Sequence, residues 1–205
     1  MRKIFLVRHA GVTRIDQQKC YLGQSDPMLS AVGIRQAQRL SRAFKYCPVQ
    51  AVFTSDLLRA EHTALWISHN HRCEPEKVRE LREINLGKWE GRTFREVQAQ
   101  YPEEYKKRVL DLENYRIAGG ESFADLRARV IPWFTKAVAK MKGNLVIVAH
   151  AGVNRVILCH LTKLSIRELF SIPQEYAAVN IIQENMGCYR VAAVNKNLAD
   201  TQAKV

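Results

Sequence analysis

The chain has 205 residues, of which 47% are hydrophobic and 25% charged, and its formal net charge is +12. This length suits one domain over residues 1–205 that buries well over half of its unfolded surface and needs no stabilising cross-links. The composition is that of a soluble globular protein. The basic start is followed by an apolar run too short for a signal peptide, and no stretch reaches transmembrane length, so we expect no membrane partner.

The cysteines indicate a reducing compartment. They are odd in number and widely spaced, and no C-x-x-C pair occurs among them: Cys20, Cys47, Cys73, Cys159 and Cys188. This pattern argues against a zinc ribbon or a disulfide framework. We therefore expect reduced thiols and a cytoplasmic protein.

The positive charge is spread along the chain from Arg2 to Lys204. No zinc finger, RNA-recognition motif or basic arm accompanies it, whereas nucleic-acid binding calls for clustered basic residues or such a motif. A small anionic substrate is therefore the preferred partner, and nucleic acid ranks below it.

Apolar strands and amphipathic helices alternate through the first half of the chain. The predicted elements are a strand over 3–7, a helix over 29–46 capped by Ser30, a strand over 50–55, a helix over 56–68 capped by Ser55, and strand and loop over 77–92. The side chains predicted to face the core from the two helices are Ile34, Ala37, Leu40 and Phe44, then Leu58, Leu65 and Trp66.

The second half continues the alternation. The predicted elements are a polar, exposed helical segment over 93–115, a break over 119–122, a helix opened by a Ser122–Asp125 capping box and kinked or interrupted at Pro132, a strand over 144–150, a helix over 152–164, and a hairpin of strands over 176–184 and 188–194. This order predicts an α/β fold in three layers. A mostly parallel sheet lies between helices, with antiparallel strands at one edge near the C-terminus.

Two predicted strands end alike, in IFLVRHAG at residues 4–11 and LVIVAHAG at residues 145–152. In open α/β sheets ligands bind beyond the carboxyl ends of the strands, so His9 and His150 converge there if the strands are neighbours. Arg8 and Arg59 fall near the same edge, and guanidiniums match the geometry of phosphate oxygens. Their positive charge favours a neutral His9, which is nucleophilic.

At this point the sequence resembles the histidine phosphatase superfamily, the phosphoglycerate mutase-like fold, over residues 2–195. The motifs that carry the resemblance are LVRHA, TSDLLRAEHTA, LREINLGKWEG and VAHAGVNR, in the family's order. The resemblance implies the nucleophile at His9, phosphate ligands at Arg8 and Arg59, the general acid at Glu83 and a second pocket histidine at His150. It implies no metal and no cofactor.

The loop after His9 departs from the family pattern R-H-G-E-T-x-x-N. Here it reads RHAGVTRID, so Ala10 replaces glycine and the asparagine that helps bind phosphate is missing. Arg14 or Gln24 is expected to compensate for it. Glu80 and Glu90 are rival acids near Glu83, although the spacing to the following glycine favours Glu83.

Several other residues have plain structural interpretations. Trp89 is expected to pack under the Glu83 loop, and His62 and His160 to be packing or surface groups. The ligand-like HNHRC stretch at 69–73 is interpreted as a polar loop, because no further ligand follows at zinc spacing.

These features favour a metal-independent phosphomonoesterase that forms a phosphohistidine on a small metabolite. The chain resembles the smaller phosphatases of the family, and α-ribazole phosphate is one candidate substrate beside sugar phosphates, phosphoglycerate and phosphoserine. Two alternatives remain open: a cofactor-dependent phosphoglycerate mutase, and a non-catalytic binder of phospho-ligands or polyanions. The resemblance also leaves monomer and homodimer open.

Overall fold

A six-stranded sheet lies at the centre of the protein, for which the computed structural model describes residues 1–13 and 20–198. The strands lie in the order β3–β2–β4–β1–β5–β6. Their bounds are β1 Arg2–Arg8, β2 Val49–Ser55, β3 Glu76–Val78, β4 Asn144–Ala149, β5 Val179–Asn185 and β6 Cys188–Lys196. β3, β2, β4 and β1 are parallel, and β5 and β6 extend the sheet as an antiparallel hairpin.

Helices connect the strands in the described part of the chain. They are α1 Ala31–Phe44, α2 Leu58–Ser68, α3 Phe94–Gln100, α4 Pro102–Leu110, α5 Phe123–Lys140 and α6 Ala151–Thr162, with 3₁₀ helices at Arg79–Leu81, Gly87–Trp89 and Ile166–Ser171. The predicted α/β fold with a mostly parallel sheet and an antiparallel edge is thus confirmed.

The core has two halves, one on each face of the sheet, because successive strand residues point to opposite sides. Ile4 and Leu6 of β1 pack with apolar residues of α5 and α6. Phe5 and Val7 pack with residues of α1 and α2. All four side chains are fully buried, so β1 is covered on both faces, and its continuous apolar sequence is typical of such a strand.

The inward face of α2 is predicted wrongly. Leu58, Leu65 and Trp66 are 38%, 43% and 36% exposed. The buried face instead carries mostly small side chains, Ala60, Thr63, Ala64 and Ser68, together with Ile67 and Arg59. Small residues let α2 lie close to the sheet and to α1, so the largest apolar residues are left on the outer side.

Smaller corrections concern the ends and faces of other helices. α2 begins at Leu58, and Ser55 Oγ accepts a hydrogen bond from the Leu57 N–H in the turn before it rather than capping the helix. Ile34 is 41% exposed, whereas Ala37 and Phe44 of the same helix are buried as expected.

Pro132 does not interrupt α5, which runs unbroken from Phe123 to Lys140. The carbonyl that the proline deprives of a partner belongs to Ala128, which is exposed, so water can satisfy it. The capping box between Ser122 and Asp125 is present as predicted.

The polar segment after residue 92 forms α3 and α4. Arg108 of α4 is a buried charged side chain, 7% exposed, and its guanidinium carbon lies 5.8 Å from the Trp89 ring centroid and 5.2 Å from that of Phe123. Trp89 itself is fully buried.

In residues 1–13 and 20–198, no helix has both the length and the apolar character that crossing a membrane requires.

Candidate active site

Two histidines stand side by side at the carboxyl edge of the sheet. β1 and β4 pair in register, Arg8 opposite Ala149, so the next residue of each strand, His9 and His150, lies at the same level. The His9 N–H donates to the Ala149 carbonyl at 2.9 Å. The ring centroids are 5.1 Å apart, and both side chains are buried, with exposed fractions of 2% and 0%.

His9 is held as a neutral ring in one tautomer. Its Nδ1 lies 2.8 Å from the Ala10 carbonyl oxygen, which only accepts, so Nδ1 carries the proton and Nε2 keeps its lone pair. Burial lowers the pKa of His9 well below its ordinary value, and the positive charges of Arg59 and Arg8 lower it further. A neutral imidazole with a free lone pair on Nε2 is chemically able to act as a nucleophile.

His150 closes the other side of the pocket. Neither of its ring nitrogens has a hydrogen-bond partner among the described residues, although the side chain is completely buried. Burial lowers its pKa well below the ordinary value, with Arg59, His9 and Arg8 contributing. A buried polar group without a partner is costly, and hydrogen bonds from a ligand in the pocket would remove that cost.

Arg8 leaves the end of β1 toward the segment that precedes β5. Its Nη1 donates to the Gln174 carbonyl at 2.5 Å, and its guanidinium carbon lies 4.0 Å from the centroid of the Tyr176 ring. The same ring is 5.4 Å from that of His9. Tyr176 therefore forms a wall shared by the arginine and the histidine.

Arg59 lies in the first turn of α2 and is completely buried. Its Nη1 and Nη2 donate to the carbonyls of Ser25 and Gly23 at 2.5 and 2.6 Å, and Nη1 lies 3.7 Å from the Asp26 carboxylate. Nε is buried and has no partner among the described residues. Arg59 thus fixes the loop over residues 23–26 and places positive charge beside both histidines.

Glu83 reaches the same pocket from the loop after β3. Its Oε2 accepts from the Gly152 N–H in the first turn of α6 at 3.0 Å, and its Oε1 accepts from the Ile84 N–H at 3.0 Å. Gly152 is two residues after His150, so the carboxylate is seated next to the second histidine.

The backbone of Glu83 is fixed from two sides. Gln24 Nε2 and Arg129 Nη2 donate to its carbonyl at 3.2 and 3.0 Å. Arg129 is itself paired with Glu121, Nε to Oε1 at 2.8 Å. Gln24, expected as a phosphate ligand, therefore lies beside the site with its amide engaged on Glu83; Arg14, the other candidate, falls outside the described residues.

The rival acid Glu90 has a different environment. Its Oε1 accepts from the N–H groups of Gln24 and Leu86 at 2.8 and 3.0 Å, and its Oε2 from the N–H and hydroxyl of Ser25 at 3.0 and 2.7 Å. Four donors leave this carboxylate committed to holding the loop. Glu80 is exposed at the surface.

A buried amide network behind Arg8 is absent from the sequence predictions. Asn154 and Asn180 donate to the side-chain oxygen of Gln174 at 3.1 and 3.0 Å, and Gln174 donates back to Asn180 at 2.8 Å. Asn154 belongs to the VAHAGVNR motif, whereas Gln174 and Asn180 belong to no motif considered above. Only the tertiary fold brings them, and likewise Tyr176 and Arg129, to the pocket.

The ligand-like side chains elsewhere do not gather. Within the two described ranges, no group of three or more histidine, cysteine, aspartate or glutamate side chains could hold a metal ion. The HNHRC stretch follows α2 as a surface turn, and all five cysteines are free thiols.

Comparison with known proteins defines the class. Residues 4–197 match the model of the histidine phosphatase superfamily (branch 1), so the chain belongs to this family of phosphatase-fold enzymes. The predicted family resemblance is thereby confirmed.

Individual relatives cover nearly the whole chain. Phosphoserine phosphatase 1 of Hydrogenobacter thermophilus is 31% identical over 89% of this chain and 86% of its own length. The adenosylcobalamin/alpha-ribazole phosphatase of Salmonella typhimurium is 29% identical over 88% of this chain and 91% of its own. The crystal structure of the alpha-ribazole phosphatase from Shigella flexneri superposes with a TM-score of 0.86 at 24% identity, covering 95% of this chain and 96% of that one.

Proposed function

We propose that this protein is a metal-independent phosphomonoesterase that forms a phosphohistidine at His9 and acts on a small phosphorylated metabolite. The observation that carries the proposal is the state of His9, a buried neutral imidazole whose Nδ1–H is fixed on the Ala10 carbonyl. Beside it lies His150, whose two ring nitrogens have no hydrogen-bond partner among the described residues. A structural histidine would have both nitrogens satisfied.

In the first step, His9 Nε2 attacks phosphorus, the ester P–O bond breaks, and Glu83 gives a proton to the leaving alkoxide oxygen. The positive charge of Arg8 and Arg59 stabilises the transferring oxygens, the role that Mg²⁺ has in other phosphoryl-transfer enzymes. His150 donates to the same oxygens from the other side of the pocket.

In the second step, water attacks the phosphorus of phospho-His9. The attacking water gives a proton to Glu83, the N–P bond breaks, and inorganic phosphate leaves. Glu83 thus returns to its protonated form, and His9 to its neutral tautomer, so the cycle is balanced without a co-reactant.

The substrate is a phosphomonoester of a small metabolite. Phosphoserine and α-ribazole phosphate are candidates, because relatives that cover most of this chain are named for them. The arginines and histidines of the pocket account for recognition of the phosphate. The rest of the substrate must be bound by residues at the rim of the pocket.

The first experiment measures hydrolysis of nitrophenyl phosphate in EDTA by the wild type and by His9→Ala. We expect activity that survives EDTA and falls by about a thousandfold or more in the variant. Trapping of ³²P on the wild type but not on His9→Ala would support the intermediate directly. Substantial activity in His9→Ala would contradict the proposal.

Two alternatives give different results in the same assays. A mutase would need a bisphosphorylated primer and would return the phosphoryl group to a product instead of releasing phosphate. A non-catalytic binder would show neither hydrolysis nor phosphoenzyme, and its association with polyanions would weaken with salt.

A further inference from the structure

A further arginine, Arg155, lies at the rim of the pocket and has no part in the mechanism above. It belongs to α6, three residues beyond Gly152, and residues at this spacing share one face of a helix. Helical side chains point back toward the N-terminus, which here is the end that carries His150 and seats Glu83. The sequence therefore directs Arg155 toward the reacting groups.

The electrostatics agree with this position. Arg155 is half-buried, and burial lowers its pKa, whereas the nearby Glu83 carboxylate opposes that shift. Arg8 is also close enough to lower the Arg155 pKa. Arg155 thus stands near both the proposed general acid and a proposed phosphate ligand.

One short segment anchors Arg155 and Arg8 together. Arg155 Nε donates to the Ile172 carbonyl at 2.9 Å, and Arg8 Nη1 donates to the Gln174 carbonyl at 2.5 Å. Carbonyls two residues apart are separated by at most about 7 Å of extended chain. The two guanidiniums therefore lie within reach of the two ends of one small molecule.

The terminal fork of Arg155 is open. Its Nη1 and Nη2 make no hydrogen bond to the part of the chain that the structure describes, and neither atom is enclosed, so both reach solvent. Its guanidinium carbon lies 5.2 Å from the Phe170 ring centroid, which limits the planes it can adopt. A fixed guanidinium edge matches the two oxygens of a carboxylate.

We propose that Arg155 binds a carboxylate of the substrate, so that the enzyme acts on phosphomonoesters of short hydroxy or amino acids. This inference rests on the phosphatase function proposed above. A carboxylate fits better than a second phosphate, because one guanidinium edge pairs with both oxygens of a carboxylate but would leave a further phosphate oxygen without a partner. Arg155 would then select the substrate while the histidines perform the chemistry.

The test compares O-phosphoserine with O-phosphoethanolamine, which differ only in the carboxylate, in the wild type and in Arg155→Gln. We expect the wild type to prefer phosphoserine and the ratio of the two kcat/KM values to fall by about tenfold or more in the variant. Arg155→Lys, which keeps the charge but loses the fork, should give an intermediate ratio. Arg167→Gln, at an exposed arginine of the 3₁₀ helix that carries Phe170, is the matched control and should leave the ratio unchanged.

Calorimetric binding of the same two compounds to His9→Ala separates this inference from the catalytic proposal, because it needs no turnover. Tighter binding of phosphoserine that is lost in the His9→Ala/Arg155→Gln double variant supports the subsite even if hydrolysis fails. Equal affinities for the pair, or a uniform loss of kcat/KM for both substrates in Arg155→Gln, would overturn it. A uniform loss would instead assign Arg155 to the positioning of Glu83.

Discussion

His9 and His150 are kept neutral inside the folded protein, whereas in the unfolded chain each titrates near its ordinary pKa of about 6.5. Their folded-state pKa values are lowered chiefly by burial. Between the folded and unfolded values the unfolded chain binds more protons, so stability is fully present above about pH 6.5 and declines as the pH falls below it.

We therefore expect the midpoint of guanidinium unfolding to drop between pH 7.5 and pH 5.5 in the wild type. Carboxylates with lowered pKa values, such as Asp56 and Glu184, lose their contribution only at lower pH. His150→Gln should reduce the drop, because one buried titrating group is removed, whereas His69→Gln, at an exposed histidine, should not. An unchanged midpoint across this pH range would contradict the burial of neutral histidines.

The two acids of the Glu83 loop should respond differently to the same isosteric change. Glu83→Gln should lower kcat by about 10²–10⁴-fold, more for an alkyl phosphate than for nitrophenyl phosphate, whose leaving group needs no proton. Glu90→Gln replaces acceptors of four hydrogen bonds, so it should mainly cost about 1–3 kcal/mol of stability. Kinetics and urea unfolding of both variants check this, and the reverse pattern would make Glu90 the acid.

At the scale of single residues, the histidine pair was predictable because parallel strands place their carboxyl ends at one edge. The bonds of Arg59 to the carbonyls of Gly23 and Ser25 were not. They depend on where a loop distant in sequence comes to lie, and no spacing within a motif encodes that position.

Among the elements, the N-terminus of α6 is shaped to seat Glu83. A Cβ on Gly152 would lie 2.4 Å from Glu83 Oε1, so Gly152→Ala must displace the carboxylate. Because the displaced group is the end of a flexible side chain, we expect little change in melting temperature but a fall in kcat of about 100-fold. Comparable activity in Gly152→Ala would show that Glu83 acts from another position.

The error in α2 has a physical cause. Helical periodicity identifies a helix, but choosing its buried face by the largest apolar side chains assumes that space is available for them. Here α1 and the sheet lie close, and Ala60 and Ala64 fill the contact, while Leu65 and Trp66 remain outside. The sequence pattern therefore predicts the helix, but it does not predict how close α2 lies to α1 and to the sheet.

Across the whole molecule, the charge of +12 should assist the capture of an anionic substrate. We expect kcat/KM for a phosphomonoester to fall as ionic strength rises from about 0.01 to about 0.15 M, because the screening length shortens, while kcat changes less. Steady-state kinetics in sodium chloride measure this. A kcat/KM independent of salt would show that the scattered positive charge does not assist the binding of substrate to the pocket.

The overall architecture was predictable because strands and helices alternate and the hairpin at Asn185–Gly187 marks the antiparallel edge. The strand order was not, since β4 inserts between β1 and β2, which are consecutive strands in the sequence. That insertion makes neighbours of the two strands that end in histidine.

The register of β1 against β4 also limits how this gene can change in length. Because side chains alternate across a sheet, one codon inserted or deleted within Leu145–Ala149 would send His150 to the opposite face and break its alignment with His9. Length changes compatible with activity must therefore fall in connecting loops. Insertions in the loops around this pocket are therefore far easier to accommodate than insertions in either of the two strands that carry the histidines.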